Sequence, residues 1–390
     1  MKTKIQDMTS GSPGRLIILF AIPLMLGNIC QQLYTMVDTM VVGQIAGVEA
    51  LAALGAVDFL MWVVTGISTG LTQGFSIQLS QYYGAKDFEN LRKSLAHSYR
   101  LTAFIAVGVF ILSQSFAALV LTGLHTPSNI IGMSLLYLRI IFCGIPATAA
   151  YNMFAAALRA MGNSKTPLTA MIIASVLNIS LDILFVAGFG WGVAGAAIAT
   201  VIAQSFSAVY CFLILRRIDI VHLSRADFMS AAGMNARLMK LGIPVVFQNI
   251  IIGVGGLVVQ YVINGYGFLF VAGFTATNKL YGLLEMAAIS YGYAIVTYVG
   301  QNLGAGRIDR IRKGVRSSML LSLLTSLIIS AAIFLFGKNI LSLFISGEPQ
   351  QTKEVLHFIV STLGVQDFQQ RDFPPIIAVN LAIHHLTGLP

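Results

Sequence analysis

Gln81-Tyr-Tyr-Gly84-Ala-Lys-Asp-Phe-Glu-Asn-Leu-Arg92-Lys93 is matched without a gap by Gln301-Asn-Leu-Gly304-Ala-Gly-Arg-Ile-Asp-Arg-Ile-Arg312-Lys313, 220 positions later (301 − 81). Identities fall at Gln81/Gln301, Gly84/Gly304, Ala85/Ala305, Arg92/Arg312 and Lys93/Lys313, with conservative pairs at Glu89/Asp309 and Leu91/Ile311. Each copy closes one long apolar stretch and lies upstream of another. Ile22-Pro23 and Ile243-Pro244 are spaced by nearly the same interval, 221 positions (243 − 22). A polar, basic hinge repeated inside an apolar chain predicts a membrane protein built from two related halves.

Composition agrees. Hydrophobic residues make up 56% of the chain and charged residues 10%, with mean hydropathy +0.81, against roughly 25% charged in a soluble domain. The pattern predicts an all-α polytopic membrane protein, not an enzyme with a large soluble core. Cys30, Cys143 and Cys211 all sit in apolar stretches and offer neither a disulfide framework nor metal-ligand spacing. The net charge of +9 does not point to nucleic acid. Lys and Arg gather in the N-terminal tail, Lys86–Arg100, Arg159 and Lys165, Arg216–Lys240 and Arg307–Arg316, while the connections near 119–130, 188–192 and 264–270 have none. Alternation of basic and non-basic connections predicts a cytoplasmic N-terminus in a cell membrane. Met1–Arg15 lacks a signal-peptide core, so the first helix is expected to serve as the anchor.

At about 20 apolar residues per crossing, spans are expected near 16–40, 48–76, 98–120, 130–156, 167–188, 192–215, 241–264, 270–300 and 316–337, with a tenth beginning after Lys353. Both hinges then follow inward-running spans, so the halves are parallel repeats related by an axis along the membrane normal. The expected organisation is an N-terminal lobe of six helices (1–215), a cytoplasmic linker (216–240), a partial C-terminal lobe (241–360) and an atypical tail (361–390). Pro374-Pro375 and the charges at Asp367, Arg371 and Asp372 interrupt what should be the tenth helix. They suggest a truncated or divergent C-terminus, with a non-transporting fragment as one consequence. The His384-His385 pair reads as incidental.

The middle of the chain carries a specific resemblance. Tyr137-Leu-Arg-Ile, Gly144-Ile-Pro146, Ala157-Leu-Arg-Ala-Met-Gly-Asn-Ser-Lys-Thr-Pro167, Leu177-Asn-Ile-Ser-Leu-Asp182 and Gly192-Val-Ala-Gly-Ala-Ala-Ile-Ala-Thr-Val-Ile-Ala-Gln204 resemble the fourth to sixth spans of the multidrug and toxic compound extrusion (MATE) family. Gln301-Asn-Leu-Gly-Ala-Gly306 resembles its most recurrent hinge. The resemblance covers roughly residues 10–360. It implies twelve helices in two six-helix lobes around a cavity that opens alternately to either side. It also implies export of organic, often cationic, compounds in exchange for Na⁺ or H⁺.

An acid inside the bilayer costs about 2.5–3.5 kcal/mol on insertion scales, so Asp38, Asp58, Asp182 and Glu285 are functional candidates. Asn178 precedes Asp182 by one turn and shares its helix face. An amide oxygen beside a carboxylate suits a hard cation such as Na⁺, and the carboxylate could instead carry a proton. Asp38, toward the outer end of span one, could meet Asp182 at similar depth. By resemblance, Asp38, Asn178 and Asp182 correspond to the family's N-lobe cation site, supported by Thr200, Asn152 and Tyr137. Pro23, on the helix that carries Asp38, is either a coupling kink or a static one. Glu285, Gln248 and Asp58 are candidate substrate contacts. Arg139 is expected to pair with a carboxylate or a helix terminus, and Gly192, Gly195 and Ala199 to permit close helix approach in span six.

The partners expected are a small organic substrate, a monovalent cation and the lipid bilayer, with no resident cofactor, no nucleic acid and no obligate protein partner. A lipid-linked oligosaccharide flippase is the rival reading; it expects a strongly cationic cavity, which the Asn178/Asp182 pair disfavours. An intramembrane aspartyl protease would require a Gly-x-Gly-Asp context, absent around Asp182.

Overall fold

The computed structural model describes residues 6–124, 126, 128–229, 233–264 and 268–342. The expected tenth span, the tail and the histidine pair lie outside these residues. The described chain is helical: α1 (Pro13–Ile45), α2 (Val48–Gly55), α3 (Asp58–Gly84), α4 (Phe88–Gly123), α5 (Ile131–Cys143), α6 (Ile145–Ala160), α7 (Lys165–Asp182), α8 (Gly192–Leu215), α9 (Met234–Asn264), α10 (Phe268–Gly304) and α11 (Ile308–Ser342). Among the described residues, six helical stretches are long and apolar enough to cross a bilayer alone, and α5 with α6, bent by 46°, makes a seventh. α3 has 27 residues, but its Ser, Thr and Gln residues keep it less apolar than these six. Its Ser68, Thr72, Ser76, Gln78 and Ser80 are buried by neighbouring helices. Two compact units emerge: 1–253 with 286–323, and 254–285 with the chain from 324.

Each of the nine crossings expected among the described residues has a helical counterpart, with three departures. The expected second span, 48–76, is instead the short α2 followed by α3, which starts at Asp58 and continues to the hinge. The fourth breaks at Gly144, where a Cβ would meet the Val201 side chain and the Ile141 carbonyl, and Pro146 starts α6 in the helix position that needs no amide donor. The seventh starts earlier than expected: α9 begins at Met234, inside the stretch read as linker, and buries Met234 and Leu238, one turn apart, within the first unit.

The repeated hinge is one backbone motif used twice. Ala85 N–H bonds Gln81 O at 2.9 Å, Lys86 N–H bonds Tyr83 O at 3.1 Å and Asp87 N–H bonds Tyr82 O at 3.0 Å. The second copy repeats this with Ala305 to Gln301 (3.0 Å), Gly306 to Leu303 (3.0 Å) and Arg307 to Asn302 (2.8 Å). Both are helix ends closed by a left-handed residue, Lys86 at φ 58° and Gly306 at φ 70°. Asp87 then caps α4 by accepting from the Asn90 amide at 3.1 Å.

The halves also pack on each other by one rule. In the first unit, α1 lies against α10: Ile17, Phe20, Ala21 and Leu24 share a core with Tyr291, Ala294 and Tyr298. The start of α9 lies against α3, with Cβ atoms at Gly70 and Gly74 falling on the backbones of Val246 and Gly242. Asn28 donates to Ser290 Oγ at 3.1 Å in the first crossing, and Asn249, its repeat partner (28 + 221), donates to Gly66 O at 3.0 Å in the second. Such interhelical bonds are worth about 0.6 kcal/mol on average in membranes, whereas overpacking costs about 1–3 kcal/mol. Thermal unfolding of detergent-purified variants should therefore rank Gly74→Val well below Asn28→Ala in stability, and the reverse order would refute this packing.

Candidate functional site

Three helices of the first unit converge around Asp182. α7 packs on α8 and α1, and the chain beyond α7 also touches α1. Immediately after Asp182 the helix widens into a π-helical segment, Ile183–Gly188. Such segments are rare and recur at functional sites. Its far end is set by Gly190 and Gly192, both in the left-handed region, and by stacking of Phe185 on Trp191 with centroids 5.2 Å apart. Gly195 permits this, since a Cβ there would already lie 3.0 Å from Phe185 Cβ. The expected small-residue approach in span six is thus directed at the turn that follows Asp182.

The cluster is rich in buried oxygen. Asn178 and Asp182 are fully buried, Asp38 is 5% exposed and Tyr137 is 5% exposed. Asn178 donates through Nδ2 to Thr200 Oγ1 at 3.4 Å, and Gln204, one turn after Thr200, donates through Nε2 to the Tyr34 hydroxyl at 3.4 Å. Both amides thereby leave their oxygens uncommitted. Asn178 Oδ1, Gln204 Oε1, Asp38 Oδ1 and both carboxylate oxygens of Asp182 are buried without a hydrogen-bond partner among the described residues. Asp38 and Asp182 are close enough to interact electrostatically, and Tyr137 interacts with both and with Tyr34. Neither carboxylate has a salt-bridge partner among the described residues. Burying an unpaired charge costs several kcal/mol, so carboxylates so placed either hold a proton or hold a cation.

The structure thus joins Asp38, Asn178, Asp182, Thr200 and Tyr137. Asn152 is different: it donates to Thr69 Oγ1 at 3.3 Å, tying α6 to α3, with no hydrogen bond to the cluster. Tyr34 and Gln204 were not singled out from the sequence, although each stands one turn from a predicted ligand. Pro23 is buried inside a continuous α1, where it leaves the Leu19 carbonyl without its helical donor. Asp58 is exposed in the first turn of α3, a favourable place for an acid, and it interacts with Asp38 electrostatically. Gln248 is exposed on α9, and Glu285 is half-buried on α10 in the second unit. The expected partner of Arg139 is not found. Arg139 projects exposed from α5 and has no ion pair among the described residues, because Tyr137 and Leu138 take the buried face. Its carbonyl accepts from Gln114 Nε2 at 2.8 Å.

At the hinge end of the first unit the two halves meet at their repeated glycines. A Cβ on Gly84 would fall on the Gln301 carbonyl, and one on Gly304 would fall on the Gln81 carbonyl. Each hinge therefore seats its glycine on the other's glutamine backbone. Arg159, from the last turn of α6, stacks over the Tyr293 ring of α10 at 4.6 Å, a cation–π contact across the same junction.

The model of the MatE family matches this chain twice, over 23–184 and 244–369. The matches begin at the equivalent prolines. The chain belongs to the MatE family. Among its relatives are the "Probable multidrug resistance protein YpnP" of Bacillus subtilis, 32% identical over 88% of this chain and 77% of that one, and YoeA of the same organism, 29% identical over 90% and 77%. A solved structure described as the outward-facing conformation of a multidrug resistance MATE family transporter of the MOP superfamily superposes with TM-score 0.86 at 23% identity, covering 93% of this chain and 80% of that one. A MOP superfamily transporter from Pyrococcus furiosus, whose binding pocket is described as having reverse polarity and suggesting a different function, superposes with TM-score 0.85 at 23% identity, with the same coverage. Membership in MatE makes this a membrane transporter rather than an enzyme. The second match runs to residue 369, into the stretch read from sequence as an atypical tail. The fold is shared by proteins of different pocket polarity, so substrate must be argued from residues.

Proposed function

We propose that this MatE protein exports organic, often cationic, small molecules across the cell membrane in exchange for inward Na⁺ or H⁺, with its N-terminus in the cytoplasm. One observation carries the reading: two buried carboxylates, Asp38 and Asp182, share a site with the amides of Asn178 and Gln204 and the hydroxyls of Tyr34, Tyr137 and Thr200, and have no salt-bridge partner among the described residues. Such a site is neutral when it holds two protons, or one proton and one monovalent cation. Binding there favours whichever arrangement of α1, α7 and α8 wraps the oxygens best, and a ligand shifts a conformational equilibrium only through such a difference. The multidrug names of the relatives support the substrate class. The basic tail, linker and hinges support the orientation. The acidic cluster speaks against a flippase built around a cationic cavity. Glu285 is the proposed contact for a substrate cation in the second unit, and Asp58 and Gln248 are proposed to attract or contact it at the surface.

Trp191 offers a direct test, since it stacks on the π-helical segment that follows Asp182 and the only other tryptophan is Trp62. In a Trp62→Phe protein in nanodiscs, Trp191 emission should change saturably with Na⁺ at constant ionic strength, or with pH in Na⁺-free choline buffer. The ion that drives the change is the coupling ion. Emission indifferent to both would remove the cation-site assignment.

A further inference from the structure

We propose that residues 6–10 form a releasable strap that holds the hinge ends of the two halves together, with Met8 as its plug. The strap lies ahead of the first helix and reaches both halves. Gln6 N–H donates to Gly162 O at 3.1 Å, on the α6–α7 turn of the first half. Met8 N–H donates to Gln301 Oε1 at 3.0 Å, Asn302 Nδ2 donates to Met8 O at 2.9 Å and Arg307 Nη1 donates to Thr9 O at 3.0 Å, all on the hinge of the second half. Gln301 completes the bridge by donating from Nε2 to Ala160 O at 2.9 Å. The Met8 side chain is fully buried among Ile17, Phe20, Tyr291 and Tyr298.

Two features make this a strap and not a fixed part of the core. First, the hinge repeat differs where the strap docks. Asn302, which clamps the Met8 carbonyl and is itself held by Arg310 Nε at 2.9 Å, stands where the first copy has Tyr82, and Arg310 stands where it has Asn90. The second hinge thus carries a receptor that the first lacks. Second, the strap is held through polar groups of its own main chain, whose hydrogen bonds water can replace on release. Each is worth about 0.5–1.5 kcal/mol net, and Met8 is the one apolar anchor. Asp7 shapes the turn: its carboxylate accepts from the Thr9 amide at 2.7 Å, the Thr9 hydroxyl at 2.6 Å and Ser10 at 3.1 Å. Burial alone would raise the Asp7 carboxyl, but these bonds and nearby Lys86 outweigh it and hold it below the ordinary value, so it stays ionised at neutral pH.

This inference rests on the alternating-access reading above, and the experiment separates the two. Spin labels at Glu89→Cys and Asp309→Cys, exposed equivalent positions of the two hinges, are placed in a protein whose Cys30, Cys143 and Cys211 are serine. Electron–electron distances are then measured in nanodiscs. Met8→Asp should move the population from the short to the long distance by about tenfold or more, as expected for losing at least 1.4 kcal/mol of apolar anchoring. Met8→Leu should leave it unchanged, and Arg307→Ala should move it in the same direction by less. If Met8→Asp changes nothing while Gly304→Leu lengthens the distance, the strap is wrong and the gate stands. If neither changes it and no second distance appears with Na⁺, H⁺ or a cationic dye, both readings fall.

Discussion

Asp182→Asn will leave the protein folded and uncoupled. In proteoliposomes carrying an imposed Na⁺ or H⁺ gradient, export of a cationic dye should fall at least about tenfold relative to the parent. The Trp191 response should weaken about 100-fold or more, which corresponds to losing about 2.7 kcal/mol of cation binding. The stability of the purified protein should hold or rise. Asp182 is fully buried, with neither oxygen bonded among the described residues, so the substitution removes no hydrogen bond. It replaces a group that is costly to bury charged by one that is less so. Asp38→Asn should act in the same direction, because its carboxylate interacts with Asp182. Thr200→Ala should act weakly, since Thr200 mainly receives the Asn178 donor. Parental dye export by Asp182→Asn under the same gradient would place the coupling site elsewhere.

The second large effect is expected at the hinge glycines. Gly304→Leu and Gly84→Leu each put side-chain atoms where the opposing glutamine carbonyl now lies. No rotamer escapes a collision with the first side-chain carbon, so the hinges must separate. Overpacking of this kind costs about 1–3 kcal/mol, which corresponds to about a 5- to 150-fold shift away from the arrangement with both hinges in contact. Gly108→Leu is the matched control, because nothing lies within 4 Å of a Cβ there. Cysteine accessibility to a bulky thiol reagent at Ser80, fully buried next to Gly300, should rise in both hinge variants and not in the control. Unchanged accessibility at Ser80 in both hinge variants would mean that the two glycines do not seal this end.

Much of the arrangement was legible in the chain because the rules concerned are local. The hinge repeat announced two parallel halves, and identical hydrogen-bonded turns at 81–87 and 301–307 follow from it. Asn178 and Asp182 were placed on one face by the helical period alone. The same period applied to α1 and α8 would have added Tyr34 and Gln204. Span limits were less legible. Charged and polar termini extend helices beyond the bilayer, as at Met234–Lys240, and a break such as that between α2 and α3 has no proline to mark it. Arg139 has no ion pair among the described residues, and a single sequence does not say which face of α5 is occupied.

By itself, the sequence determined that this is a polytopic helical membrane protein, that its halves are repeats, and which residues carry charge at depth. All of these depend on hydropathy, period and spacing, which are properties of neighbours along the chain. Only the tertiary structure decided that Asp38 and Asp182 share one site without a salt-bridge partner among the described residues, that each hinge glycine rests on the other half's glutamine, and that the polar N-terminal tail buries Met8 between the halves. These depend on which helices meet, and on where a side chain's partner is missing or comes from nearly 300 residues away. No local rule reaches that far.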